Sequence, residues 1–274
     1  MPVAFSDLAL FSLLGVSAGI LAGMLGIGGG MIIVPGLFYL FSLIHLPDQS
    51  LLHMAAGSAM GIMLFTASAS TWSHHKRGDV QWHIFRQAVP GIAAGVVIGT
   101  LLSSYINEYW LEVIFGVFLL AVSSKILMSW SPTFDESEGH EPSGSVASMV
   151  GSLIGLKSGI LGIGGGALSV PFLLYCGLPM KQASGTSASF TLPIAVTGTL
   201  AFALLSPSDP YIQWSTGYIY WPAIALVAPF TVIGAPIGTM LSHRIPAGLL
   251  KRIFAVLILC IGGKMLLGSL SFLF

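Results

Sequence analysis

Ten apolar runs separated by turn chemistry organise the chain, near residues 8–25, 31–44, 51–72, 84–103, 109–130, 145–161, 167–177, 183–205, 217–241 and 249–272. Each predicts a predominantly apolar segment, suited to burial or a membrane rather than a half-wetted surface. The interruptions carry turn residues: Leu46-Pro47-Asp48, the polar stretch His74 to Asp79, Asn107-Glu108, and Ser206 to Pro210. Residues 131–144 (SPTFDESEGHEPSG) hold acidic residues with Pro, Ser and Gly, too little apolar surface to order alone, and predict a flexible acidic linker.

Composition turns this pattern into a membrane assignment. Of 274 residues 55% are apolar and 7% charged, against roughly 25% charged in soluble domains. A solvated globule is excluded. At about 20 residues per crossing, the length is used up by membrane segments and leaves no room for a sizeable extramembrane domain. Ten basic residues balance ten acidic ones, so there is no net field to hold nucleic acid. Cys176 and Cys260 each sit in an apolar run, which argues against a disulfide framework. The N-terminus lacks the basic region of a secretory signal, so the first run is read as a retained helix.

The halves repeat. Gly15–Leu40 set against Gly151–Cys176 gives about 13 identities in 26 positions without a gap. Farther on, Gly95, Gly99, Thr100, Leu102 and Ser103 align with Gly234, Gly238, Thr239, Leu241 and Ser242, and Phe115 and Lys125 with Phe254 and Lys264. This divides the chain into a first membrane repeat (1–130), the linker (131–144) and a second repeat (145–274). Basic residues follow the third segment of the first half (Lys76, Arg77, Arg86), whereas the equivalent loop near 206–216 has none and its flanks carry Lys181, Arg244, Lys251 and Arg252. Because basic loops stay in the cytoplasm, the flipped bias predicts an inverted repeat of five segments per half, both termini outside and the linker inside. The fold class expected is an all-α polytopic membrane protein with two inverted repeats and Gly-broken or re-entrant helices meeting near the midplane.

Each half contains a run into GIGGG, Gly26–Gly30 and Gly162–Gly166, followed by a short apolar run and Pro35 or Pro171. Each Gly costs a helix about 1 kcal/mol against Ala, so the clusters predict unwinding. Short, Gly-interrupted segments at matching places in two halves are the best sequence pointer to a transporter's substrate site. The broken backbone presents N–H groups and the positive end of a helix dipole, which suits an anion. Candidate substrate-binding groups are Gly28, Gly29, Gly30, Gly164, Gly165 and Gly166. By contrast Gly15, Gly19 and Gly23, with Gly151, Gly155 and Gly159, recur every fourth residue and predict a helix-packing stripe.

Lys157 replaces Leu21 of the first half and lies about 18 Å into its helix. An intramembrane cation is a functional candidate by default, here as the counter-charge of the anion, with pairing to a carbonyl as its structural alternative. Lys125 and Lys264, nearer segment ends, read as snorkelling. After each break comes a polar face in which Gly57-Ser58 aligns with Gly185-Thr186. Ser58, Thr186 and Ser187 are candidate hydroxyl donors to an oxyanion, or else bond backbone as membrane hydroxyls usually do.

Two other classes compete. His53, Met54, Met60 and Met63 share a segment and raise a transition-metal transporter, but no His pair at i, i+4 and no carboxylate at depth supports it. An intramembrane hydrolase built on Ser58 lacks a buried His-Asp partner in the pattern. With no nucleotide-binding motif, the energy source is an ion or proton gradient, or none; no buried carboxylate stands out as a proton carrier.

The paired breaks GMLGIGGGMIIVP and GILGIGGGALSVP, the Gly57-Ser58 and Gly185-Thr186-Ser187 segments, and the basic loop HHKRGDVQW resemble the TauE/SafE-type sulfite exporter family. The resemblance covers nearly the whole chain. It implies a permease of the bacterial inner membrane for small sulfur-containing anions such as sulfite, sulfonates, sulfoacetate or thiosulfate, neither an enzyme nor dependent on a cofactor. Its partners are then the sulfur oxyanion, a coupling proton or ion, and the lipid bilayer.

Overall fold

A computed structural model describes residues 5–25, 28–46, 50–128, 142–205, 212–241 and 247–270. These residues form ten helices: α1 Phe5–Leu25, α2 Gly30–Leu43, α3 Leu51–His75, α4 Trp82–Ser103, α5 Glu108–Met128, α6 Gly144–Leu161, α7 Gly166–Tyr175, α8 Met180–Leu204, α9 Trp221–Leu241 and α10 Ala247–Leu270. All ten sequence segments are there, and most boundaries fall within three residues of the expected ones. One end differs. Residues 217–220 belong to a hairpin, β1 Ser215–Thr216 paired with β2 Ile219–Tyr220, because Trp214 and Gly217 take positive φ and turn the chain before a helix can start. Residues 131–141 of the linker lie outside the described residues.

Six helices (α3, α4, α5, α6, α8 and α9) are long and apolar enough to cross a membrane. In hydrocarbon every backbone N–H and C=O must be satisfied within the protein, which leaves helices as the economical solution for this chain. Outward-facing Leu13, Ile98, Val117, Leu200 and Leu267 are exposed, as lipid-facing side chains are. Exposed aromatics gather near the helix ends: Trp72 and Tyr175 at one end, Tyr105, Trp110 and Trp221 at the other. This is the distribution of interfacial aromatic belts.

The helix directions follow from the glycine contacts. Gly15, Gly19 and Gly23 of α1 lie against Val227, Thr231 and Ala235 of α9, in ascending order on both helices, so α1 and α9 are parallel. Gly151, Gly155 and Gly159 of α6 likewise meet Ala88, Ile92 and Val96 of α4. Each contact is glycine against backbone, the close approach that small residues permit, and the predicted packing stripe is accounted for. Gly57 meets Phe202 while Gly198 meets Met60, so α3 and α8 are antiparallel. Gly116 meets Leu266, and Ser123 donates to Ala255 O, so α5 and α10 are antiparallel too. Gly61 lies on Ile224, and the Phe85 and Phe190 rings pair, which with the contacts below makes α3 parallel to α9 and α8 parallel to α4.

Taken together, α1, α3, α5 and α9 run one way and α4, α6, α8 and α10 the other. Every helix of the first five is antiparallel to its counterpart among the last five. The pairing is also reciprocal between halves, α1 on α9 and α6 on α4, α3 on α9 and α8 on α4. The buried apolar residues described form one cluster drawn from both halves.

Candidate functional site

The two glycine breaks meet. A Cβ on Gly30 would fall 2.8 Å from the Gly164 amide nitrogen, 2.8 Å from Ile163 Cα and 3.0 Å from Met63 Sδ. A Cβ on Gly28 would lie 2.8 Å from Thr191 Oγ1. Met63 and Thr191 are each halfway along their helices, α3 and α8, which places the contact at mid-depth. Gly28, Gly29 and Gly30 are buried, as are Gly164, Gly165 and Gly166.

Local chemistry explains the unwinding. Gly28 and Gly29 take φ of +73° and +77°, a left-handed pair that L side chains rarely adopt. Gly162 ends α6 at φ +69°, its N–H bonded to Ser158 O at 2.8 Å, the usual use of glycine past a helix end. α2 then starts at Gly30 and α7 at Gly166, and the first intrahelical bonds come from Ile32 and Leu168. The N–H groups before these have no acceptor within their helix. Pro35 and Pro171 each occupy the sixth helical residue. Lacking an N–H, each also releases the carbonyl four residues earlier, Met31 or Ala167. α2 runs from the meeting point toward the Tyr220 end of the bundle, where Phe41 packs edge-on to Tyr220. α7 runs to the opposite end, where its short connection leads into α8. The pair are half-helices whose N-termini face each other.

Lys157 reaches this centre from α6. Its Nζ donates to Gly164 O at 3.0 Å and lies 5.4 Å from the centroid of the Phe118 ring. The Lys157 amine therefore meets the second break through a carbonyl, the alternative left open from sequence. Lys264, expected to snorkel, instead has its Nζ 4.3 Å from the centroid of the Tyr39 ring of α2.

The candidate hydroxyls are not gathered at one point. Ser58 Oγ accepts from Tyr220 N–H at 2.9 Å, and Thr186 Oγ1 accepts from Gln81 N–H at 2.9 Å. Tyr220 and Gln81 are the residues immediately before α9 and α4, so each hydroxyl holds the start of a helix belonging to the other half. Their glycine neighbours complete the clamp. Gly57 lies under the Tyr218 carbonyl, and a Cβ on Gly185 would be 2.7 Å from the Asp79 carbonyl. Ser58 and Thr186 are five residues, about 7.5 Å, to either side of the meeting point. Ser187 Oγ is 2.7 Å from Ser169 Oγ and ties α8 to α7.

A cluster missed from sequence occupies the end of the bundle where α3 and α5 begin. His53 Nδ1 is 2.7 Å from Glu108 Oε2, its Nε2 is 3.0 Å from Ser103 O, and Glu108 also accepts from Leu52 N–H. Tyr218 stacks on His53 with centroids 4.9 Å apart. Burial pushes the Tyr218 phenol above its ordinary pKa, and the Glu108 carboxylate adds to the effect. One turn farther along α5, Glu112 is 8% exposed. The expectation that no buried carboxylate stands out is thus corrected: Glu112 stands near the start of an apolar helix, and packing of that helix in the bundle buries it. At the other end of α3, His74 Nδ1 is 3.4 Å from Asp79 Oδ2. Among the described residues no three of His, Cys, Asp and Glu gather as a metal site. Met60 Sδ packs on Gly198 and Met63 Sδ on Gly30, so these sulfurs fill space at helix contacts.

Comparison with known proteins agrees with this architecture. Residues 11–265 match the family described as Sulfite exporter TauE/SafE. A probable membrane transporter protein of Haemophilus influenzae is 31% identical over 264 residues, covering 96% of this chain and 99% of its own length. A probable membrane transporter protein of Methanocaldococcus jannaschii is 26% identical over 261 residues, covering 95% and 96%. YunE of Bacillus subtilis, also a probable membrane transporter protein, is 24% identical over 270 residues, covering 92% and 95%. No solved structure matches. A match across nearly the whole chain, on a fold of apolar spanning helices with paired breaks, makes this chain a multi-pass membrane transporter protein that belongs to the TauE/SafE sulfite exporter family.

Proposed function

We propose that the protein is a secondary transporter for small sulfur-containing anions such as sulfite, sulfonates, sulfoacetate or thiosulfate, working by alternating access. The observation that carries this reading is the mid-depth meeting of two half-helix N-termini at Gly30 and Gly164. Helix N-termini favour anions through their unpaired N–H groups and positive dipole end. Two of them approaching from opposite senses make a site accessible in turn from either face.

In this reading the N–H groups around Gly28–Gly30 and Gly164–Gly166 hold the oxyanion, and Lys157, already at the Gly164 carbonyl, supplies the neutralising charge. Ser58, Thr186 and Ser187 act at the border of the site. Ser58 and Thr186 couple it to α9 and α4 of the opposite half, and Ser187 couples it to α7. The repeats, residues 1–130 and 145–274 joined by the 131–144 linker, rock about this centre while the breaks, held in contact, keep the anion between the two faces. Lys76, Arg77, Arg86, Lys125, Lys181 and Arg252 all fall toward one end of the bundle, given the helix directions above. By the positive-inside rule that end is cytoplasmic and both termini lie outside a bacterial inner membrane.

The test is uptake and efflux in proteoliposomes across sulfite, thiosulfate, sulfoacetate, taurine, sulfate and divalent metal ions. Saturable flux of a sulfur oxyanion, competed by its congeners, supports the reading. Selective metal flux overturns it. A reporter fused after Phe274 that proves cytoplasmic overturns the orientation.

A further inference from the structure

Anion transport against a gradient needs a second charge movement, and Lys157 is occupied at the centre. The bundle carries a titratable cluster elsewhere. Glu108 is committed on both oxygens, to His53 Nδ1 and to Leu52 N–H. Glu112 lies one helical turn deeper on the same face of α5, where Cβ atoms four apart are about 5–6 Å from each other. The residue is 8% exposed and forms no hydrogen bond or ion pair among the described residues. A buried carboxylate without a partner is costly as an anion, and the small ligand that removes the cost is a proton.

The groups around it are few. Glu108 lies on its own helix and His53 on α3. α10 packs on α5 at Gly116 and Leu266, and its Lys264 Nζ lies 4.3 Å from the centroid of the Tyr39 ring of α2. Tyr218 of the hairpin stacks on His53. Tyr39 matters most for coupling, because it belongs to the half-helix whose N-terminus is Gly30. The helix that packs on α5 is thereby joined to the element that forms one side of the breaks' meeting point.

We propose that Glu112 is a proton-binding site of this transporter, loaded through the His53–Glu108 pair from the end of the bundle opposite the basic loops, and that its protonation is coupled to anion movement through α2. The coupling rests on the anion-transport reading above; the proton site itself does not. Protonation here is a simple transfer: His53 or Glu108 takes a proton from water and passes it to a Glu112 carboxylate oxygen.

Two measurements test it. In detergent, the infrared carboxylic-acid carbonyl band of the purified protein is followed through a pH titration. A titrating band that disappears in Glu112→Gln is expected; no such band, or one unchanged in Glu112→Gln, overturns the site without reference to any substrate. In proteoliposomes with a trapped pH dye, wild-type sulfite flux is expected to carry protons. The proton-to-anion ratio is expected to fall at least fivefold in Glu112→Gln and to be kept in Glu112→Asp. Sulfite flux without proton movement in the wild type overturns the coupling alone, and absence of any sulfur-anion flux refutes the transport reading instead.

Discussion

Gly30 is the position where a single methyl group bears on the meeting of the breaks. In Gly30→Ala the new Cβ would lie 2.8 Å from Gly164 N and from Ile163 Cα, whereas ordinary contact begins at 3.4 Å. Both neighbours are backbone and cannot rotate aside, so the breaks must part by about 0.6 Å, the difference between those distances. Overpacking of this kind costs about 1–3 kcal/mol. At 1.4 kcal/mol per factor of ten, the touching arrangement then loses about five- to 150-fold in population. If the transport cycle passes through that contact, turnover at saturating sulfite falls by at least about fivefold in proteoliposomes, with no new cavity in the rest of the bundle. Thermal melting in detergent, monitored alongside, separates a folded but slow variant from an unfolded one. A folded Gly30→Ala protein with wild-type turnover and half-saturation would refute the reasoning.

Gly263→Ala is the matched control: a Cβ there meets nothing within 4 Å, so flux is unchanged and the melting temperature is equal or higher, by up to ~1 kcal/mol of helix propensity. Ser58→Ala and Thr186→Val each leave one main-chain N–H without its acceptor, at about 1–3 kcal/mol. Their symmetric roles predict similar drops in melting temperature, checked by the same thermal assay. Lys157→Met removes the hydrogen bond to Gly164 O and, in the proposed site, the anion's counter-charge. The concentration of sulfite for half-maximal flux is expected to rise at least tenfold, and an unchanged value would remove Lys157 from the site.

What was legible in the sequence was local or repeated. The helix ends are marked by Gly, Pro and polar clusters, and the structure puts them where those residues stand. The fourth-residue glycine stripes pack as that spacing demands, and the unwound GIGGG runs needed only the cost of glycine in a helix. Inversion was legible because the basic residues occupy non-equivalent loops in the two halves, and the antiparallel α3–α8 and α5–α10 pairs agree with it. What was hidden depends on partners remote in sequence. Ser58 and Tyr220 are 162 residues apart and Thr186 and Gln81 are 105 apart; nothing near either hydroxyl announces a helix start from the other half. Glu112 was hidden for the same reason. It stands near the beginning of an apolar run, and only the packing of α5 against helices remote in sequence buries it. Lys157 is intermediate: its depth followed from helix arithmetic, but its Gly164 carbonyl partner required the turn made by Gly162.

The central claim is that the paired N-termini at Gly30 and Gly164 hold a sulfur oxyanion. Equilibrium binding of radiolabelled sulfite to the purified protein in detergent tests it without the complications of flux. The account predicts saturable binding of one anion per chain, displaced by thiosulfate and at least fivefold weaker in folded Gly30→Ala. Binding of equal strength in wild type and Gly30→Ala, or no saturable binding of any sulfur oxyanion, would contradict it.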